Sequence, residues 1–418
     1  MSANLRAPGF RGPGGRAASA PRPRLAVALA IAIAALVGGC ASRPYGDLIV
    51  GTTAPGASQV DLLVVTTRAP VVAPAGVMFG GERARGLNFA DIVVSIPPTH
   101  KAGDVEWPKS PPGDPERDFV TLRADRMDFP QAKAEFEARL ARTPGRKVLV
   151  FVHGYNTRFE EAVYRFAQIV HDAGVDVAPL LFTWPSGGGA ADYVYDRDSA
   201  MYSRDALESG LQRLVDNPKV GSISLLAHSM GNYLAVEALR QMAIRDRGLP
   251  AKIRDVMLAS PDIDVDVFRR EIAEIDATAR TTRFTLFVSR DDKALGLSSF
   301  LARDAARLGS LDPSQEPYSS MLAKARVNVV DLTSFASVDA FNHSKFASGE
   351  VVTAIGDRLE EGQALTDAKS GVVESLGGFT RGALNVAADA ATAPIRIGDP
   401  TREEKSVDTA EQSVSLGD

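Results

Sequence analysis

Two periodicities alternate along the middle of this chain. The runs "KVLVFV" (147–152), "VAPLLFTW" (177–184), "SISLLA" (222–227), "DVMLAS" (255–260), "RFTLFVS" (283–289) and "RVNVVDL" (326–332) are short and almost continuously apolar. Such runs suit strands buried on both faces, since a half-buried strand shows a polar residue at every second position. Between them, apolar residues return every three or four positions, as helices require. "QAKAEFEARLAR" from Gln131, "FEEAVYRFAQIVHDA" from Phe159, a segment from about Ser199 to Val215, "NYLAVEALRQM" from Asn232, a short stretch before Arg283 and one from about Ser298 fit that pattern. In the second of these Ala162, Phe166 and Ile169 share a face and Gly174 ends the run, while Thr157 and Glu160 have capping-box spacing. The alternation predicts an α/β fold over 131–361, a mostly parallel central sheet with helices on both faces. Three further strand-like runs, "DLLVVTTR" (61–68), "DIVVSIPP" (91–98) and "RDFVTLRA" (117–124), predict an N-terminal β-rich extension over 61–130.

Ahead of that extension the texture changes. Leu25–Val37 is an unbroken apolar run preceded by Arg6, Arg11, Arg16, Arg22 and Arg24. It is shorter than the ~20 residues a membrane span needs and fits the core of a secretion signal, so 1–39 reads as a signal peptide. No two of these arginines are adjacent, which gives a twin-arginine route little support. The run ends in "VGGC", and Cys40 is the chain's single cysteine. Val37–Cys40 resembles a bacterial lipobox, which implies lipidation of Cys40. A chance cysteine after an ordinary signal peptide and an uncleaved anchor are the alternatives. By resemblance to other lipoproteins, Ala41 and Ser42 imply release to the outer membrane, facing the periplasm. Residues 40–60, rich in Gly, Pro, Ser, Thr and Ala, read as a flexible tether, and 362–418 as a low-complexity tail.

Bulk composition narrows the classes. Over 418 residues, 45% hydrophobic and 24% charged residues permit a packed core. A net charge of −5 argues against a nucleic-acid partner. One cysteine excludes an intramolecular disulfide and a cysteine-rich zinc site.

The candidate chemistry sits where a strand turns into a helix, at "AHSMGN". A nucleophilic serine on a strained strand-to-helix turn needs small residues two places to either side, and Ser229 has Ala227 and Gly231 there. Ala227 departs from the usual glycine. "HGYN" follows an earlier strand. In the α/β-hydrolase fold the backbone N–H after such a His-Gly pair and the N–H after the nucleophile form the oxyanion hole. Those would be Tyr155 and Met230, while the His153 side chain reads as structural.

A base can be found by elimination among five histidines. His100 lies before the sheet core, His153 belongs to the oxyanion loop, His171 ends a helix where the dipole explains it, and His228 should point away from the Ser229 hydroxyl. His343, in "DAFNHSKF" after the last strand, remains. The acid is open between Asp262 in "LASPDID" and the pair Asp291–Asp292 in "SRDDKAL". Asp292 is preferred because S-x-x-D-x-x-L resembles the acid-bearing turn of the superfamily. Asp291 would then face solvent or cap the next turn, and Asp262 would bond backbone N–H groups as a turn residue. No metal or cofactor is expected: "SGGG" (186–189) lacks P-loop residues and reads as a mobile loop, and "DIDVD" lacks the Gly and Glu of a calcium loop.

Taken together, "HGYN", "FTWPS", "AHSMGN", "LASPDID" and "SRDDKAL", with "GERARG" and "VSIPPTH" upstream, resemble a bacterial α/β-hydrolase family of unknown function, esterase/lipase-like and often carried on lipoproteins. The resemblance covers about Asp61 to Ile355. It implies a serine hydrolase with Ser229 as nucleophile, His343 as base and Asp292 as orienting acid. Such an enzyme would act through an acyl-enzyme on a small-molecule or lipid-like ester. The alternative, from a different class, is a non-catalytic envelope lipoprotein that uses the fold for binding or scaffolding.

Overall fold

The computed structural model describes residues 48–275, 281–337 and 339–361. The expected signal peptide, Cys40 and the tail 362–418 lie outside the described residues. Among these described residues nine strands form one sheet: β1 (Ser58–Pro70), β2 (Phe79–Ile96), β3 (Val120–Met127), β4 (Lys147–Val152), β5 (Ala178–Thr183), β6 (Ser222–His228), β7 (Ile253–Ala259), β8 (Arg283–Val288) and β9 (Val327–Asp331). Their order is β3-β2-β1-β5-β4-β6-β7-β8-β9. β2 is antiparallel to β1 and β3, and the remaining pairs are parallel. The β-rich extension is thus one edge of the same sheet.

Strand alternation sorts the core into two layers. Val148, Val150 and Val152 of β4 point into one layer, and Leu149 and Phe151 into the other. The first layer is covered by α1 (Phe129–Arg142), α4 (Arg204–Asp216), α5 (Met230–Asp246) and α6 (Val265–Ile275). The second is covered by α2 (Phe159–Ala173) and α9 (Gly349–Glu361). α3 (Tyr193–Tyr202), α7 (Lys293–Leu301) and α8 (Tyr318–Lys324) complete the described helices. The described residues include no helix long and apolar enough to cross a membrane.

Several boundaries differ from expectation, each for a local reason. The helix expected from Ser199 to Val215 is two helices, broken at Ser203, whose hydroxyl bonds Thr67 and the Ser199 carbonyl. α2 starts after Arg158, and its capping carboxylate is Glu161, which accepts from the Arg158 N–H at 2.7 Å. Residues 48–57, expected as tether, are docked: Leu48 is buried, Val50 bridges to Thr121, and the Gly51 N–H donates to the Thr121 carbonyl.

Candidate active site

Ser229 is the single residue between β6 and α5, with φ 52° and ψ −126°. An L-residue is strained at positive φ, so neighbours must enforce the turn. The Ser229 N–H donates to the Ala259 carbonyl, and Asn232 Nδ2 donates to the carbonyls of both Ser229 and Ala259. Space is short on both sides. A Cβ on Gly154 would stand 2.8 Å from the Ser229 Cβ, and one on Gly231 would overlap the His153 carbonyl. The glycine two places after Ser229 is therefore a packing requirement, and the His-Gly loop lies directly against the serine. Met230 begins α5, where the first N–H groups have no carbonyl within the helix.

The His-Gly loop is braced from beneath. His153 is buried, stacked on Trp184 with centroids 4.9 Å apart, and its Nδ1 donates to the Gly154 carbonyl. Its Nε2 accepts from the Trp184 N–H at 3.1 Å. Burial, then the Arg68 charge, push its pKa down to about 3, so the ring is neutral and its side chain is structural. Arg68, fully buried, donates to the carbonyls of Thr157, Gly80 and Ser186. Buried Asp196 accepts from the Asn156 N–H, the Ser186 hydroxyl and the Gly187 N–H. The "SGGG" segment, expected to be mobile, is tied down by these bonds. Arg68 and Asp196 carried no sequence signal, as neither falls within a recognisable motif.

His343 and Asp292 meet as expected. Nδ1 of His343 donates to Oδ2 of Asp292 at 2.7 Å. The other Asp292 oxygen caps α7, accepting from the Leu295 N–H at 3.0 Å, so one carboxylate both holds the histidine and starts a helix. Burial alone would lower the His343 pKa. The Asp292 hydrogen bond and charge, with more distant Asp262 and Asp339, hold it above the ordinary histidine value. His228, next to Ser229, donates from Nε2 to the His343 carbonyl at 3.3 Å, and its ring lies 4.7 Å from that of His343. Burial, then the His343 charge, keep the His228 pKa well below the ordinary value.

Two acids take other roles than expected. Asp262 is not on the imidazole. It accepts from Tyr193 Oη at 2.9 Å and from the Ser298 hydroxyl, and pairs with Arg307 Nε at 3.2 Å, so its partners are side chains and not backbone N–H groups. Asp291 does not simply face solvent. Buried Lys345 reaches both its oxygens at 2.8 and 3.0 Å, joining the Asp292 turn to the His343 loop. Asp339, unmarked in the sequence, gathers that loop by accepting from the N–H groups of Phe341, His343 and Ser344.

Comparison with known proteins bears on the fold. The chain is 25% identical over 132 residues to an uncharacterized protein of Nostoc sp., a match that covers 26% of this chain and 34% of that relative. The chain therefore shares only about a third of the relative's length. A solved esterase of Pyrococcus furiosus aligns over 75% of this chain and 95% of its own, at 13% identity and a TM-score of 0.32, too weak a likeness to carry an argument. The family described as alpha/beta hydrolase of unknown function (DUF900) matches residues 130–359, more than half of the sequence, and the chain belongs to that family.

Proposed function

We propose that the protein is a serine hydrolase that cleaves an ester or related acyl bond. The observation that carries this reading is the 2.7 Å His343–Asp292 bond on a loop whose carbonyl is held by His228, the residue before a strained Ser229. In the proposed reaction His343 Nε2 takes the hydroxyl proton as Ser229 Oγ attacks the acyl carbon. The N–H groups of Tyr155 and Met230 stabilise the developing oxyanion, and His343 returns the proton to the departing alcohol. Water, deprotonated by the same imidazole, then attacks the acyl-serine to free the acid and restore Ser229. Asp292 keeps the proton on Nδ1 so that Nε2 is free to accept.

A p-nitrophenyl ester series tests the reading. Ser229→Ala should lose turnover by on the order of 10⁶. Undiminished hydrolysis by that variant would end the proposal.

The second part of the reading is the anchor. Lipidation of Cys40 would hold the hydrolase on the outer membrane, where its substrate would be a small or lipid-like acyl compound. A processed lipoprotein carries more than the two membrane signals that stable anchoring needs. Mass spectrometry of Cys40→Ser should find no acyl chains, and an acylated, processed variant would rule the anchor out.

A further inference from the structure

A second group of titratable side chains meets where α2 leads into β5, whereas Ser229 follows the opposite, C-terminal end of parallel β6. Nε2 of His100 and Nδ1 of His171 both approach Oδ1 of Asp172, at 2.8 and 3.0 Å. The three atoms lie within 4.8 Å of one another. We propose that this is a zinc site, with His100 Nε2, His171 Nδ1 and Asp172 Oδ1 as ligands and water in a fourth position.

The donor set argues for the metal. Two imidazole nitrogens and one carboxylate suit zinc, while calcium and magnesium prefer oxygen alone. Bonds of 2.0–2.2 Å in a tetrahedron place neighbouring ligand atoms about 3.3 Å apart. The two close separations need to open by only a few tenths of an ångström, and the two N–H protons now aimed at Oδ1 leave as the cation enters.

The outer shell is already built. Nδ1 of His100 donates to Glu106 Oε2 at 2.7 Å, and the other Glu106 oxygen accepts from the Lys101 N–H. A carboxylate behind a ligating imidazole fixes the ring and raises its basicity. The second Asp172 oxygen accepts from Gln168 Nε2 at 2.6 Å and from the Gly103 N–H at 2.7 Å, which turns Oδ1 toward the histidines. The His100 side chain is 5% exposed and that of His171 30%, so the cation and its water have an approach from the His171 side. Gly103 packs against Gly349 at the start of α9, and a Cβ on it would stand 2.7 Å from the Gly349 nitrogen. A bound ion would therefore fasten the segment after β2 to α2 beside the start of α9.

The sequence conceals this site, because His100 and the His171–Asp172 pair are far apart along the chain and match no metal motif. The test uses the full chain without a histidine tag, in detergent, stripped with chelator and titrated calorimetrically with Zn²⁺. One equivalent should bind and raise Tm, and Co²⁺ in its place should give the visible absorption of four-coordinate cobalt. His171→Ala should lose the cobalt spectrum, and Glu106→Gln should bind Zn²⁺ about 10–100-fold more weakly. His171 is partly exposed, so far-UV circular dichroism of the stripped variant should match that of the wild type. Absence of saturable binding up to about 1 mM Zn²⁺, or equal affinity in wild type and both variants, would overturn the site and leave an ion-pair network.

Discussion

Ser229 occupies a backbone conformation that costs on the order of 1–3 kcal/mol, and the groups around it leave no relaxed alternative. Asn232 clamps the turn, and Gly154 and Gly231 admit the neighbouring loop because they lack a Cβ. His343 shows how one neighbour sets a proton's energy. The carboxylate of Asp292 favours the imidazolium, so the His343 pKa is held up even though burial pulls it down. A general base must be neutral, so kcat/KM should rise with pH through a midpoint above the usual histidine value of about 6.5. Asp292→Asn removes the charge that raises the pKa. The midpoint should fall, and turnover should drop by about 10⁴ as the wrong tautomer is favoured. A pH–rate profile of both proteins checks this, and an unchanged midpoint would separate Asp292 from the base. The Ser229 turn and Asp292 were legible because each sits in a short motif at a strand end, and His343 because elimination among five histidines leaves it. Asp339 and Lys345 were not, since their partners are set only once two distant loops meet.

At the scale of elements, burial on both faces made the core strands easy to read. β4, β6 and β8 fall where their apolar runs predict, to within a residue. Helix ends were less legible because side chains from elsewhere decide them, as Thr67 does at the Ser203 break between α3 and α4. α8, a single short helix, has too few residues to show a period. One interface between elements also carries a pH signature. Buried Glu271 on α6 faces Glu237 on α5, and burial with the like charge pushes its pKa up to about 8. A raised carboxyl pKa means that the folded state keeps a proton the unfolded state loses above about 4.5. Stability from this group is therefore full below that pH and lost as pH rises towards 8. Glu271→Gln should raise Tm at pH 8.5 and leave it nearly unchanged at pH 4. Thermal denaturation at the two pH values checks the sign, and a larger gain at pH 4 would contradict it.

At the scale of the molecule, the sheet order explains why the site could be seen only in part. The groups gathered at the strand ends come from after β4, β5, β6, β8 and β9, brought together by parallel crossovers along one sheet edge. Motifs at single strand ends survive in a linear reading. Bracing groups such as Arg68 on β1 and Asp196 on α3 acquire meaning only when β1 pairs with β5. The same sheet makes Ser229 and His343, 114 positions apart in the numbering, members of one cluster through His228. The claim that they act as a catalytic unit is tested most directly by the intact mass of the protein after exposure to a fluorophosphonate. One adduct per chain is expected, mapped to Ser229, absent in Ser229→Ala and formed far more slowly in His343→Ala. An unmodified wild-type Ser229, or labelling that is as fast without His343, would contradict it and favour a fold kept for binding alone.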